Sequence, residues 1–557
     1  MSNKVKKTSN LFLSGVVILT IANLLVKVIG LGLKVPLTKI IETNGMGYYT
    51  SAYDIYVWLY MVSTAGIPVA VSIMISDSRS KGNFRQAKKI FKIALWSFVV
   101  IGLVGMCIMI FGSQLFSALY ELPELYWSII AIAPTLLFIC ISSAIRGYFQ
   151  GYQNMTPTAV SEVIESFGKL ILGIAFALWS MNFFAEPSGS PSESTYAKAA
   201  AMTILGLTIG VFVSMLYLII KKKTFREELY NAEFARPDSD MLAVKSSKSL
   251  LKTLVVIAIP ITISASMMSF TNMIDGMIIA NRLKGLGFDT SVISGMIGAF
   301  KTQVVTFFNL PPALIYPISA SLVPYISTVR NTGTREQLDN IMNSAVKITS
   351  LLAMPCALGM SVLSEPIIDL MFDMSKNPEA MSFGTPALLS VQALAVFFLG
   401  MLSITNSFLQ SHNLERKPII SILAGSAVKL ITSFFLIGNP DIQILGAPIG
   451  TLLCYITIVV FNFYFVAKHI GFVPKFGRVF IRPLLASVIC AAAAFGSFKA
   501  FEIFLPSKIA VLAAILAAVV VYAAAVLIFR AITEDELKML PKGEKIANKL
   551  HRIGLMK

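Results

Sequence analysis

Residues 144–170 read AIRGYFQGYQNMTPTAVSEVIESFGKL. The apolar run PTLLFICISSA (134–144) leads into this stretch and LILGIAFALWS (170–180) leaves it. Between the two runs lie Arg146, a polar turn, and then Glu162, Glu165 and Lys169. A long apolar run, a short turn and a second long apolar run read as two membrane spans joined by a hairpin. Pro157 fits the first turn of the second span, where its missing N–H costs nothing. The charges at the start of that span are the feature to explain.

Composition agrees with the local reading. The chain has 557 residues, 56% hydrophobic and 13% charged, with a mean hydropathy of +0.76. Soluble domains do not have this balance, and polytopic membrane proteins do. Spanning takes about 20 mostly apolar residues. Fourteen stretches meet that need, from 11–38, 46–76, 91–113, 125–147, 157–182 and 199–220 through 251–280 and 293–328 to 481–500 and 508–530. The 293–328 segment carries Pro311, Pro312, Pro317 and Pro324 and is expected to kink. The basic N-terminus MSNKVKKTSN precedes a run too long for a cleaved signal, so the first span is expected to be retained.

The 46 Lys and Arg residues concentrate at the termini and in the even-numbered loops, above all 77–92 and 221–252. Opposite loops such as YELPEL (120–125) and AEPSGSPSES (185–194) are acidic or neutral. This bias predicts both termini in the cytoplasm. The net charge of +17 is mostly topological, spread over many short loops, so nucleic acid is not an expected partner. Cys107, Cys140, Cys356, Cys454 and Cys490 lie in apolar runs without metal spacing, and His412, His469 and His551 lie far from them. Neither a zinc site nor a Cys/His nucleophile has a basis. No cofactor or metal is expected, and GxxxxGK[ST] is absent, which excludes a P-loop.

The chain also contains itself twice. SKGNFRQAKKIFKIALWS (80–97) resembles NTGTREQLDNIMNSAVKITS (331–350), and TIGVFVSMLYLI (208–219) resembles PIGTLLCYITIV (448–459). YFQGYQNMTPTAVSEVIESFGKLI (148–171) resembles SFLQSHNLERKPIISILAGSAVKLI (407–431), with Gln150, Ser161 and Lys169 on Gln410, Ser421 and Lys429. Six spans per repeat give both halves one orientation, a parallel repeat. The expected organisation is an N-lobe at 1–222, a cytoplasmic linker at 223–250, a C-lobe at 251–470, two further spans at 471–532 and a cytoplasmic tail at 533–557.

A charge at mid-bilayer costs about 2.5–3.5 kcal/mol on insertion scales. Lys27, Lys34, Lys169, Lys301, Lys347 and Lys429 fall within spans, as do Asp54, Glu162, Glu165 and Asp275. The six lysines alone would cost roughly 15–20 kcal/mol facing lipid, against a typical stability of about 5–15 kcal/mol. Snorkelling accounts for Lys301 and Lys347 near span ends. Thr20, Asn23, Lys27, Gly30 and Lys34 recur at helical spacing and form one polar stripe on the first span. Glu162, Glu165 and Lys169 share one face of span 5, with Arg146 and Gln150 at the expected cytoplasmic mouth; a self-neutralising structural pair is the competing reading. Tyr49, Tyr53, Tyr56 and Tyr60 stripe span 2 beside Asp54, as a cavity lining or as belt tyrosines.

AIRGYFQGYQNMTPTAVSEVIES, NLLVKVIGLGLK (23–34) and AGIPVAVSIMIS (65–76) followed by GNFRQAKKIFK resemble the stage V sporulation protein B-like and lipid II flippase branch of the multidrug/oligosaccharidyl-lipid/polysaccharide exporter superfamily. The resemblance implies an all-α polytopic membrane protein of 14 transmembrane helices. Two six-helix lobes form a V-shaped cavity, with two C-terminal helices beyond them. It implies alternating-access flipping of a polyprenyl-pyrophosphate-linked sugar, expected to be lipid II, from inner to outer leaflet of the bacterial plasma membrane. Basic residues of the first span are expected to grip the pyrophosphate. Lysine stands at Lys27 and Lys34 where arginine is usual, which keeps charge without the bidentate fork.

The expected substrate residues are Asn23, Lys27, Lys34, Tyr53, Asp54, Tyr56, Arg146, Gln150, Glu162, Glu165, Lys169 and Lys301. Asp275 and Lys429 lie on spans 7 and 11, which hold sodium in some flippases, and are the ion-coupling candidates. Spans 13 and 14, rich in small residues, are expected to serve the lipid tail. The chain is expected to be a monomer with cell-wall synthesis proteins as partners. The alternatives are a drug/cation antiporter of the same superfamily, disfavoured by a net-basic cavity, and a membrane glycosyltransferase, disfavoured by short external loops.

Overall fold

The computed structural model describes residues 2–184, 191–225, 227, 242–373 and 381–532. Every regular element among them is helical. Thirteen helices are long and apolar enough to cross a membrane, and the bent pair Ser247–Ile263 and Ala265–Gly285 makes a fourteenth when counted as one span. The chain is a polytopic all-α membrane protein. Parts of the expected external loops (185–190, 374–380), most of the linker (228–241) and the whole tail (533–557) lie outside the described residues.

By packing, the chain divides into two compact units, Met1–Gly298 and Ala299–Lys557. The first holds α1 (Ser2–Ile40), α2 (Glu42–Thr64), α3 (Ile67–Ser80), α4 (Phe84–Leu119), α5 (Leu125–Gly151), α6 (Thr156–Phe183), α7 (Glu193–Lys223) and α8 (Ser247–Gly285). It also holds the start of α9 (Thr290–Phe308). The expected second span is a broken one: α2 ends at Thr64 and α3 restarts at Ile67, with Pro68 in its first turn. Small residues set the helix spacing. A Cβ at Gly168 on α6 would meet the Gly210 backbone of α7 at 2.6 Å, so only glycine permits that approach.

The second unit holds the rest of α9, then α10 (Pro312–Thr332), α11 (Arg335–Val362), α12 (Ser364–Phe372), α13 (Thr385–Ser411), α14 (Arg416–Ile437), α15 (Gly446–Ile470), α16 (Arg482–Glu502) and α17 (Ser507–Ile528). The kink expected in 293–328 is a full break at Asn309–Pro311, while Pro317 and Pro324 lie inside α10. Two adjacent prolines remove two successive donors, and the helix cannot bridge both. A π-turn, Ala299–Val304, precedes the break. Hydroxyls join α10 to α13: Ser407 donates to the Ser319 carbonyl at 2.8 Å and Ser403 to Ser319 Oγ at 2.7 Å.

The repeat read from sequence recurs as conformation. Asn83 caps α4 by accepting from the Gln86 N–H, and Thr334 caps α11 by accepting from the Gln337 N–H. Each cap follows a glycine, Gly82 or Gly333. The two hairpins also agree. Gln153 and Asn413 both take left-handed backbone, at φ 58° and 59°. The Asn154 N–H donates to the Phe149 carbonyl at 3.0 Å, and the Leu414 N–H to Leu409 at 2.8 Å.

Candidate substrate site

The charged residues of the opening stretch come together within the first unit. The α5–α6 hairpin folds Arg146 back onto α6. Its Nε donates to Ser161 Oγ at 2.9 Å, and its Nη2 reaches Glu165 Oε2 at 3.1 Å. Glu165 Oε1 accepts from Lys169 Nζ at 2.7 Å, one helical turn on. Arg146 and Glu165 are each about nine-tenths buried as side chains, and Lys169 about four-fifths. Ser161 is held in turn: its carbonyl accepts from Ser214 of α7 at 2.7 Å. Glu162 lies beside this group, and its Oε2 is buried without a hydrogen-bond partner.

A tyrosine ladder on α2 faces the same charges. The rings of Tyr49, Tyr53, Tyr56 and Tyr60 follow one another at 6.2, 5.7 and 5.9 Å between centroids. The i, i+3/i+4 spacing produces this stack directly. Tyr56 and Tyr60 lie in the field of Glu165, and Tyr49 and Tyr53 in that of Lys169. The result is an aromatic wall opposite two cations and two carboxylates.

The other expected residues distribute differently. Lys34 is half-buried near Asp54, and Tyr120, the residue that caps the C-terminus of α4, lies within reach of both Asp54 and Asp275. Tyr120 donates to the Met273 carbonyl of α8 at 3.1 Å. Asn23 and Lys27 are exposed on α1, and Lys27 makes no ion pair among the described residues. Gln150 is half-buried at the end of α5, outside the ion network. Arg146 is enclosed between α5 and α6 instead of lying open at a mouth. Lys301 is half-buried on the π-turn of the second unit, where Lys429 is buried on α14; Asp275 is buried on α8 of the first unit. Among the described residues no group of His, Cys, Asp and Glu is arranged to hold a metal. Counted formally, Arg146 and Lys169 balance Glu162 and Glu165, and Lys27 is a further cation without an ion pair among the described residues.

Sequence reading missed Ser161 as the second anchor of Arg146, although its match to Ser421 in the repeat was a usable signal. It also missed a reciprocal pair joining α2 to α7. Tyr48 donates to Glu193 and Tyr196 to Glu42, both at 2.5 Å. Each carboxylate stands in the first turn of its helix, where the dipole favours an anion. No short motif marks such a swap.

A family model described as polysaccharide biosynthesis protein matches residues 12–330, more than half of the chain. The chain belongs to that family. Among curated proteins it is 25% identical over 542 residues to "Stage V sporulation protein B" of Bacillus subtilis, covering 95% of this chain and 98% of that one. It is 24% identical over 474 residues to "Lipid II flippase MurJ" of Bacillus subtilis, covering 83% and 84%. Among solved structures it resembles "Lipid II flippase MurJ, inward closed conformation" with a TM-score of 0.67 at 17% identity, covering 92% and 98%. It also resembles an inward-facing multidrug resistance MATE family transporter of the MOP superfamily, with a TM-score of 0.60 at 14% identity, covering 80% and 98%. At these identities the structures establish the fold. Of these four, one curated relative and one solved structure are named as lipid II flippases and the other solved structure as a transporter, and none is named as an enzyme.

Proposed function

We propose that this membrane protein is a flippase for a polyprenyl-pyrophosphate-linked sugar precursor, with lipid II as its cargo. It works by alternating access across the bacterial plasma membrane, with both termini in the cytoplasm. The observation that carries this reading is the similarity, over 83% of this chain and 84% of the other, to a protein named as a lipid II flippase. The site geometry supports it. A pyrophosphate is a bidentate acceptor that suits Arg and Lys donors. Arg146 and Lys169 share one carboxylate partner, so cargo phosphate competes with Glu165 for both cations. Lys27 supplies positive charge that no described carboxylate neutralises.

In this reading Tyr53 and Tyr56 line the path, and Lys34 with Asp54 orders its far side. Lys301 of the second unit is a further substrate-binding residue, and Asp275 and Lys429 serve ion coupling. The protein acts as a monomer alongside cell-wall synthesis proteins. The deciding experiment is depletion of the protein followed by analysis of inner-leaflet lipids. A lipid-linked precursor should accumulate, Lys27→Arg should relieve the accumulation, and Lys27→Ala should not, at equal membrane levels. No accumulation, with loss of cationic dye efflux instead, would establish the antiporter reading.

A further inference from the structure

On the outer face of the first unit, α4 and α8 part to leave a groove of about 420 Å³. Trp96, Val100 and Ile101 of α4 line it, with Leu251 and Val255 of α8 and Ile67 of α3. Its one polar liner, Ser97, donates to its own helix at the Ile93 carbonyl, so the groove offers only apolar surface. Trp96 is 64% exposed there.

A crown of lysines stands at one end. Lys92 lies one turn before Trp96 on α4, and Lys248 and Lys252 flank Leu251 on α8. All three are exposed and have no carboxylate partner among the described residues. The two helices start side by side. Asn83 Nδ2 donates to the Ala243 carbonyl at 2.9 Å, and Lys89 Nζ to the Lys245 carbonyl at 3.0 Å. Running in the same direction from that tether, they place Lys92, Lys248 and Lys252 together at the same end of the groove. The tryptophan stands a further turn, about 6 Å, towards the apolar end.

We propose that this groove is a binding site for an anionic phospholipid of the bilayer. One acyl chain fills the space between α4 and α8, and the phosphate rests on Lys92 and Lys252. The order along the groove matches a lipid: cations at headgroup level, an amphipathic indole at the interface, then hydrocarbon surface. A zwitterionic lipid has the same chains without net charge, so the lysines select for anionic headgroups. The bound lipid bridges α8 to α4 beyond their tethered starts. This site is separate from the Glu165 cluster and does not depend on the transport reading.

The test uses the full chain in detergent, with Trp58, Trp127 and Trp179 each replaced by Phe so that Trp96 alone reports. Brominated phosphatidylglycerol should quench Trp96 with about tenfold preference over brominated phosphatidylcholine, and Lys92→Gln with Lys252→Gln should remove the preference. Equal quenching by both lipids means an ordinary lipid-facing surface and overturns the proposal. Native mass spectrometry of the otherwise unaltered chain gives a check that does not rely on the tryptophan replacements. It should retain one phosphatidylglycerol more than the double lysine variant, and equal retention overturns the proposal.

Discussion

Glu165 binds Arg146 through one carboxylate oxygen and Lys169 through the other, at 3.1 and 2.7 Å. One side chain thus fixes two cations contributed by two helices. Removing one partner from a buried pair typically costs about 3–5 kcal/mol, because a charge is left without compensation. A purely structural cluster would show that cost and nothing else.

Glu165→Gln separates the two roles. It keeps the shape and one acceptor while removing the charge that competes with cargo. We expect about a tenfold change in flipping per folded molecule, equal to ~1.4 kcal/mol in the barrier. The readout is flipping of a fluorescent lipid-linked cargo in proteoliposomes, alongside thermal unfolding. A lowered melting temperature with unchanged flipping per folded molecule would reduce the cluster to structural glue. Arg146→Lys adds a second arm. A lysine cannot span both Ser161 and Glu165 as the guanidinium does, so it should bind cargo less tightly than the parent.

The close approach of α6 to α7 leads to a packing prediction. Gly168 precedes Lys169, and a Cβ there meets Gly210 backbone, which cannot swing aside. Gly168→Ala should destabilise by about 1–3 kcal/mol and shift Lys169 from Glu165. Gly30→Ala, where a Cβ meets nothing within 4 Å, is the control and should melt at or slightly above the parent, since alanine is the better helix former. Equal melting of the two variants would show that α6 and α7 relax apart at little cost.

The hairpin at 144–170 could be read from sequence because the bilayer imposes strict lengths. Long apolar runs with few charges leave little choice but helix. The repeat was legible for a related reason: the glycine-plus-cap at Gly82–Asn83 and Gly333–Thr334 is local chemistry that survives divergence. The pairing of Glu165 with Lys169 was legible from i, i+4 spacing. The enclosure of Arg146 by Ser161 was not, since it depends on how tightly the hairpin closes. The breaks at Ala65–Gly66 and at Asn309–Pro311 were blurred because continuous hydropathy conceals a backbone interruption. The Tyr48–Glu193 and Tyr196–Glu42 swap joins residues about 150 positions apart, and no local pattern encodes it.

Beyond α7, Glu227 gives a pH prediction. Its carboxylate accepts from Tyr148 at 2.5 Å and from Lys222 at 2.7 Å, with Lys88 at 3.4 Å. Burial pushes the Glu227 carboxyl up, but the Lys222 and Tyr148 hydrogen bonds and the charges of Lys222 and Lys88 outweigh it and hold it below its ordinary 4.5. A depressed carboxyl contributes stability that is complete above its unfolded value and is lost as pH falls through the folded one. The protection factors of the Lys222–Phe225 amides, with the intrinsic pH dependence of exchange divided out, should therefore stay level from pH 8 to about 5 and fall only below the ordinary carboxylate range. Glu227→Gln should show at neutral pH the lowered protection factors that the parent shows in acid. Matching protection in parent and variant at pH 7 would remove the carboxylate from the account.

The last prediction concerns the two helices outside the repeat. Among the described residues of the second unit, α16 and α17 border a cavity of about 360 Å³, with α11 and α12 as its other walls. Cys356, Cys490, Met360 and Ile515 line it, and Tyr522 turns its hydroxyl away to the Leu351 carbonyl at 2.6 Å. The surface left is soft and apolar, suited to an isoprenoid chain and offering no hydrogen bonds to a sugar. Small residues on α17 (Ala510, Ala514 and Ala518 are all buried) keep the helices close and the wall smooth. A cargo carrying a photoactivatable prenyl tail should label α16 and α17 in membranes, and Ala518→Phe should reduce that labelling by projecting a ring into the cavity. Cys490 lies beside it, donating to the Ala518 carbonyl at 3.5 Å, so thiol modification of Cys490 should also block the label. A plain membrane anchor predicts labelling confined to the first twelve spans and indifferent to both changes, and that pattern would end the tail assignment.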